Sequence, residues 1–449
     1  MFKKILIANR GEIARRINQV AHQLGMKTVA VYSEADANLP FVRECDEKVL
    51  LGKAPPADSY LNIAKVVDAA KQTGAEAVHP GYGFLSENAS FAQACNDAGV
   101  TFIGPPLAAM TRMKDKSQAR QLAKDAGVPI VPGSEGTLPD VPSAQQAAEK
   151  IGYPVLLKAA GGGGGIGMQV AKDSSELEKQ FRACVDRARS AFGRDAVYLE
   201  RYFPAPRHVE VQILGDHHGN LIHCFERECS IQRRHQKVVE ESPSPLFIDG
   251  KNPELAKRMY AAAIAAAKAF GYANAGTVEF LVSGDEFFFI EMNARLQVEH
   301  PVTEKVTGLD LISWQFKIAS GEKLTVKQDE LKRQGSAIEF RIYAEDPVKF
   351  FPSPGPLTVL KPPVGENVRL DCGYEQGGTV TPYYDPMIAK LIVWDVDRKS
   401  TIARAAKALA DFDVQGIKTN IPLHRRIVAD AAYQSGELDT HFLEHHAKP

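Results

Sequence analysis

The chain has 449 residues, enough to bury a substantial core and to divide into two or more domains. Its 44% hydrophobic and 24% charged residues are those of an ordinary globular protein. Lys+Arg 54 against Asp+Glu 55 leave a formal charge of −1, so no global field favours nucleic acid or a membrane surface.

No apolar run approaches the roughly 20 residues of a membrane span. The opening MFKKILIANRGEIARR lacks the longer apolar stretch and small-residue cleavage site of a signal peptide. Cys45, Cys95, Cys184, Cys224, Cys229 and Cys372 are scattered without a CxxC pair. Reduced thiols in the cytoplasm are therefore expected, rather than a structural zinc site.

From the N-terminus, KKILIAN reads as a buried strand. A helix follows with Ile13, Ile17, Val20 and Leu24 on one stripe, then the strand KTVAVYS. Helices near 60–72 and 88–98, before AEAVHPGYG and VTFIGPP, repeat the alternation and predict a parallel sheet covered on both faces. The first turn, Asn9-Arg10-Gly11-Glu12, is not GxGxxG, so NAD binding is not expected. Pro105-Pro106 and the basic helix around Lys114 to Lys124 mark a boundary.

A compact segment, about 131–203, then carries VLLKAA, a glycine run, GMQVA and VYLERY. Antiparallel strands HVEVQILG and LIHCFERE precede an alanine-rich helix at 254–270. TVEFLV and EFFFIEMN form a hairpin with a three-residue loop, Gly284 to Glu286. A Pro/Gly-rich passage opens a β-rich stretch, and helical patterns at 399–412 and 421–434 end the chain.

The densest chemistry is EMNARLQVEHP, Glu291 to Pro301. Strand alternation puts Glu291, Asn293 and Arg295 on one face. The first two are hard oxygen ligands suited to magnesium, and the third is a planar fork for a small oxyanion. Metal beside anion points to phosphoryl transfer to an oxygen nucleophile. Counting evenly from the hairpin loop sets Glu279 opposite Glu291, a repulsion that a shared cation would resolve; a solvated hairpin face with chance acids is the alternative. After Lys158, the run Gly161 to Gly165 has main-chain N–H groups free to converge on phosphate. It reads either so or as a plain linker, and without GKS or GKT it is no P-loop. The basic RECSIQRRHQK, Arg227 to Lys237, is neutralised by Glu240 and Glu241 and reads as facing phosphate and a small oxyanion rather than nucleic acid. His208 and Glu210 alternate on one strand face.

Together IANRGEIA, HPGYGFLSENA, the pentaglycine loop, RHVEVQ, ERECSIQRRHQKVVEE, EFLV, EMNARLQVEHPVTE, FRIYAEDP and PYYDPMIAKL stand in the order and spacing of one family. The chain resembles, over essentially its whole length, the biotin carboxylases, and in detail the separate subunit of bacterial acetyl-CoA carboxylase. The resemblance implies an α/β ATP-grasp fold: a Rossmann-like N-terminal domain (1–113), an ATP-grasp domain (114–333) with a mobile glycine-rich lid (about 131–203), and a C-terminal mixed α+β domain (334–445). It implies that Lys116, Lys158, Gly164, Gly165, Glu200, Arg201, Tyr202, Phe203, His208, Gln232 and His235 bind ATP. Glu279, Glu291 and Asn293 would hold one or two magnesium or manganese ions (Mg2+ or Mn2+). Lys237, Arg295, Gln297 and Val298 (through its main chain) would seat bicarbonate, with Tyr82 also on the substrate side. Glu299 would deprotonate bicarbonate, and Arg341 would stabilise the biotin enolate.

The implied activity is ATP- and bicarbonate-dependent carboxylation of biotin carried on a partner protein, through carboxyphosphate shielded from water by the closed lid. Acetyl-CoA carboxylase of fatty acid synthesis is the expected parent. Propionyl-CoA, pyruvate and urea carboxylases, another ATP-grasp carboxylate–amine ligase, and a non-catalytic nucleotide-binding module are the alternatives. The chain holds no Met-Lys-Met motif, so a biotin carboxyl carrier protein and carboxyltransferase subunits are expected as other chains or as parts of a longer protein, and the resemblance implies a homodimer. Ile166 replaces a cation frequent in the family, and Arg201 replaces a lysine.

Overall fold

The computed structural model describes residues 1–159, 168–192, 196–234 and 236–448. They form two compact units: Met1–Val128 with Arg207–Phe280 and Glu291–Pro449, and Pro129–Pro206 with Leu281–Ile290. Segments 1–113 and 334–445 both lie in the first unit.

In the first unit, strands Glu47–Gly52, Lys27–Ser33, Lys4–Ile7, Ala77–His79 and Thr101–Phe102 pair side by side in that order, all parallel. Helix Gly11–Gln23 buries Ile13, Ile17 and Val20, the stripe expected from their spacing. The strand-to-helix turn needs a positive φ at Gly11 (+67°), which glycine adopts without steric cost. A second sheet of eight strands runs Glu286–Asn293, Asn274–Ser283, Arg207–Gly215, Leu221–Arg233, Gln236–Ser242, Ser336–Tyr343, Met387–Asp395, Val368–Cys372, of which Leu281–Ile290 is counted with the second unit. From Arg207–Gly215 onward its neighbours are antiparallel. Ser336–Tyr343 is buried along its whole length, even at Glu339 and Arg341. That is unusual for charged residues and marks this region as functional or paired. Helix His300–Thr307 packs on the strands at this centre.

Three expectations change. Ser283 and Glu286 are joined by two turn residues, Gly284 and Asp285, not three. Even counting from the turn therefore no longer sets Glu279 opposite Glu291. The strand ends at Asn293, so Arg295 lies beyond its alternation. The last helical pattern breaks into Ile421–Ala429 and Ala431–Ser435, because extended Asp430 accepts from the N–H groups of Ala432 and Tyr433 and caps the second piece.

In the second unit, strands Met168–Ala171, Val155–Ala159 and Val197–Arg201 form an antiparallel sheet. Helices Val141–Ile151 and Ser174–Phe192 cover it through Ala144, Ala148, Leu177 and Phe181. The expected phosphate loop, with Gly164 and Gly165, and Ile166 lie outside the described residues, as does His235. All six cysteines are free thiols. Among the described residues no helix is long and apolar enough to cross a membrane.

Candidate active site

The first unit gathers its polar residues around one ammonium. Lys237 Nζ donates to Glu210 Oε2 at 2.6 Å, Glu299 Oε1 at 2.7 Å and Glu279 Oε1 at 2.9 Å. Strands Arg207–Gly215, Gln236–Ser242 and Asn274–Ser283 supply Glu210, Lys237 and Glu279. Glu299 stands at the cap of helix His300–Thr307, where the helix dipole favours an anion. Burial would push the Glu299 carboxyl up, but Lys237, Arg341 and Arg227 outweigh it and hold it below the usual range. Glu279 is likewise held well below by Lys237 and His208 against its burial. The same carboxylates keep the buried Lys237 ammonium well above the ordinary lysine range. Both acids are therefore ionised at neutral pH and Lys237 is charged.

Around this centre the geometry is over-determined. Asn293 Nδ2 and Gln297 Nε2 donate to Glu279 Oε1 at 2.9 and 2.8 Å. His208 Nε2 lies 3.1 Å from Glu279 Oε2, and its Nδ1 is 2.8 Å from Gln232 Nε2. Arg341 donates from Nε to Glu240 (2.6 Å) and from Nη2 to Glu299 (3.0 Å). Burial outweighs Arg341 at Glu240 and pushes its carboxyl up to about 7. Arg295 reaches Asn293 Oδ1 at 3.1 Å and pairs with Glu87 at 3.2 Å. The Tyr82 hydroxyl is buried without a hydrogen-bond partner, and its ring lies 5.7 Å from Lys390 Nζ.

Not every expected residue joins this cluster. Glu291 is not a member of the groups in which His208, Glu210 and Glu279, or Glu210, Cys229 and Glu299, approach one another. Its carboxylate is instead 3.1 Å from Lys116. In the second unit Lys158 pairs with Glu200. Arg201 pairs with Glu286 at 3.1 Å and stacks on Phe203, and the Tyr202 N–H donates to Pro154 O.

The basic run also divides. Arg227 does not face a ligand: it is fully buried, with Glu210, Gln212, Thr303, Thr277 and Gln297 accepting all its side-chain hydrogen bonds. It orients the Gln297 amide, whose oxygen it holds and whose nitrogen serves Glu279. Arg233 pairs with Glu345. Sequence reasoning missed Glu240 and the bracing role of Arg227. Alternation with His208 was the signal for Glu210; nothing local singles out Glu240.

An ionised, buried carboxylate flanked by lysine and two arginines suits proton transfer from an anionic oxygen acid. The hard oxygens of Glu279, Asn293 and Glu291 are chemically fit for a divalent cation.

Three family models match: "Biotin carboxylase, N-terminal domain" over 1–110, "Carbamoyl-phosphate synthase L chain, ATP binding domain" over 115–327, and "Biotin carboxylase C-terminal domain" over 339–445. A biotin carboxylase of Halalkalibacterium halodurans is 51% identical over 449 residues, covering 100% of this chain and 98% of that one. A pyruvate carboxylase subunit of Methanothermobacter thermautotrophicus is 48% identical, covering 100% and 91%. The solved biotin carboxylase domain dimer of Hydrogenobacter thermophilus 2-oxoglutarate carboxylase, in complex with MgADP, ADP and bicarbonate, matches with a TM-score of 0.89. It is 46% identical over 99% of this chain and 97% of that one. The chain thus belongs to the biotin carboxylase family and is an ATP-dependent carboxylase ligase.

Proposed function

We propose that the chain uses ATP and bicarbonate to carboxylate biotin on a carrier protein through carboxyphosphate. The observation that carries this reading is the Lys237 ammonium shared by Glu299, Glu210 and Glu279, with Arg341 on the other oxygen of Glu299. A carboxylate held so far down by neighbouring cations is a weak base. Bicarbonate, itself an anion, draws the field of Lys237 and Arg341 onto itself, and Glu299 gains proton affinity as it arrives. Glu299 then takes the bicarbonate proton, and the freed oxygen attacks the γ-phosphorus as ADP leaves. Arg295 grips the anion with its planar fork, and Gln297 and the Val298 main chain complete the seat. After carboxyphosphate splits to CO2 and phosphate, phosphate removes the biotin N1′ proton. Arg341 stabilises the ureido oxyanion, and the biotin nitrogen attacks CO2.

Glu279, Glu291 and Asn293 would hold Mg2+ or Mn2+, which when bound neutralises charge on the phosphates. The MgADP of the Hydrogenobacter relative supports magnesium. Lys116, Lys158, Glu200, Arg201, Tyr202, Phe203, His208 and Gln232 are the proposed ATP residues, with Gly164, Gly165 and His235. The three-domain division at 1–113, 114–333 and 334–445 belongs to the same proposal. So do a homodimer, a carrier protein, carboxyltransferase subunits and a cytoplasmic setting. Acetyl-CoA carboxylase is the proposed parent, although relatives serve pyruvate and 2-oxoglutarate carboxylases.

ADP release measured with bicarbonate and free biotin, against release with amino acids, tests the reaction. Stimulation by the first pair alone is expected; release with amino acids and none with bicarbonate would overturn the reading. Arg295→Ala is expected to cut biotin carboxylation on the order of 10²-fold, and an unchanged rate removes Arg295 from the anion seat.

A further inference from the structure

On strand Met387–Asp395, Lys390 stands directly opposite Arg341 on one neighbouring strand and Asp371 on the other. Residues so opposed project from the same face of a sheet. Arg341 reaches the Glu299 carboxylate at 3.0 Å, and Lys390 Nζ donates to the Val298 main-chain oxygen at 2.7 Å. Two adjacent cations thus hold consecutive residues of one turn. The preceding carbonyl is held as well, since His300 Nδ1 lies 2.8 Å from Gln297 O. Both peptide planes flanking Val298 are thus held by side chains, one by His300 of the turn itself and one by Lys390 from a distant strand.

Lys390 is fully buried, which no lysine tolerates without compensation. Serving as a counter-ion for Glu12 and Asp371 would be the plain explanation. The distances argue otherwise: Glu12 is 3.6 Å and Asp371 3.9 Å from the ammonium, beyond good hydrogen-bond range, while the carbonyl is at 2.7 Å. Both Glu12 oxygens are buried and without hydrogen-bond partners. Gly373 lets strand Val368–Cys372 close onto this spot, since a Cβ there would lie 2.8 Å from the Glu12 nitrogen. Glu12 thus balances charge at a distance while the ammonium is directed at the turn.

We propose that Lys390 is a positioning residue for the carboxylation: its bond to the Val298 carbonyl fixes the turn that presents the Val298 main chain and the Glu299 carboxylate to bicarbonate. This rests on the reading of Glu299 as the base. Without the bond the Val298–Glu299 peptide can rotate, and both the anion seat and the base lose their alignment.

The test uses the full chain and four variants: Lys390→Met, Glu12→Gln, the double variant, and Glu299→Gln. Initial rates of ADP release are taken against bicarbonate and against ATP, with thermal melts alongside. Lys390→Met is expected to melt earlier and to lose about tenfold or more in kcat/KM for bicarbonate, with KM for ATP unchanged. Glu12→Gln should keep both kinetic constants within about twofold. The double variant removes Lys390 together with its nearest carboxyl group, so it should recover part of the melt while the bicarbonate defect persists. Normal bicarbonate kinetics in the folded double variant would overturn the proposal, as would an equal defect in Glu12→Gln. Normal turnover in Glu299→Gln would instead sink the base assignment, a separate failure.

Discussion

Glu299→Gln is expected to abolish bicarbonate-dependent ATP hydrolysis, by about 10²–10⁴-fold, the range a positioned general base contributes, while ATP affinity stays near that of the parent. The substitution keeps the shape of the side chain and removes its charge. Lys237 retains Glu210 and Glu279, and Arg341 retains Glu240, so the surrounding frame has other partners. Steady-state ADP release with and without bicarbonate, together with nucleotide titration, gives the answer. A variant that turns over normally would remove Glu299 from the chemistry. One that fails to bind ATP would mean the residue acts on the fold.

Lys237→Met should have the second largest effect, on activity and stability together. Its ammonium is the shared partner of three buried carboxylates. Removing one member of such a cluster leaves charge uncompensated, at a cost of about 3–5 kcal/mol. Glu210 keeps Arg227 and Glu299 keeps Arg341, so Glu279, left with the amides of Asn293 and Gln297 and with His208 but no lysine or arginine, bears most of the loss. The deficit depends on pH with a definite sign. Glu279 and Glu299 are depressed in the folded protein, so they contribute stability above the ordinary carboxyl value that is lost as pH falls through their folded values. Without Lys237 their carboxyls titrate higher, and protonation relieves the repulsion in mildly acidic solution. The melting difference between parent and variant should therefore be larger at pH 8 than at pH 5. Equal differences at both would mean lost packing rather than lost charge.

The alternation of strand and helix in the first hundred residues was legible because both periods are local. Ile13, Ile17 and Val20 show the helix stripe without reference to anything distant. The Glu291–Pro301 segment was legible for a different reason: polar residues that dense beside apolar strands need a purpose. Local counting failed where one residue changes the answer. The hairpin turn holds two residues rather than three, and the strand stops at Asn293, so the face-sharing of Glu279, Glu291 and Arg295 could not follow from alternation. The reading of Arg227 failed because a basic run does not reveal which arginine is buried. Only the strands bearing Glu210, Gln212 and Thr277 decide that it is caged.

By itself the chain's order of residues determined the family, the parallel N-terminal sheet and the presence of a segment dense in acidic, amide and arginine side chains, since each rests on short-range pattern or on motifs in series. The tertiary structure alone decided which charges meet. Lys390 and Val298, or Arg341 and Glu240, lie far apart along the chain, and strand order and register bring them together. Desolvation then makes those meetings matter: in a buried sheet centre a charge left without a partner is costly, and no linear pattern records who that partner will be.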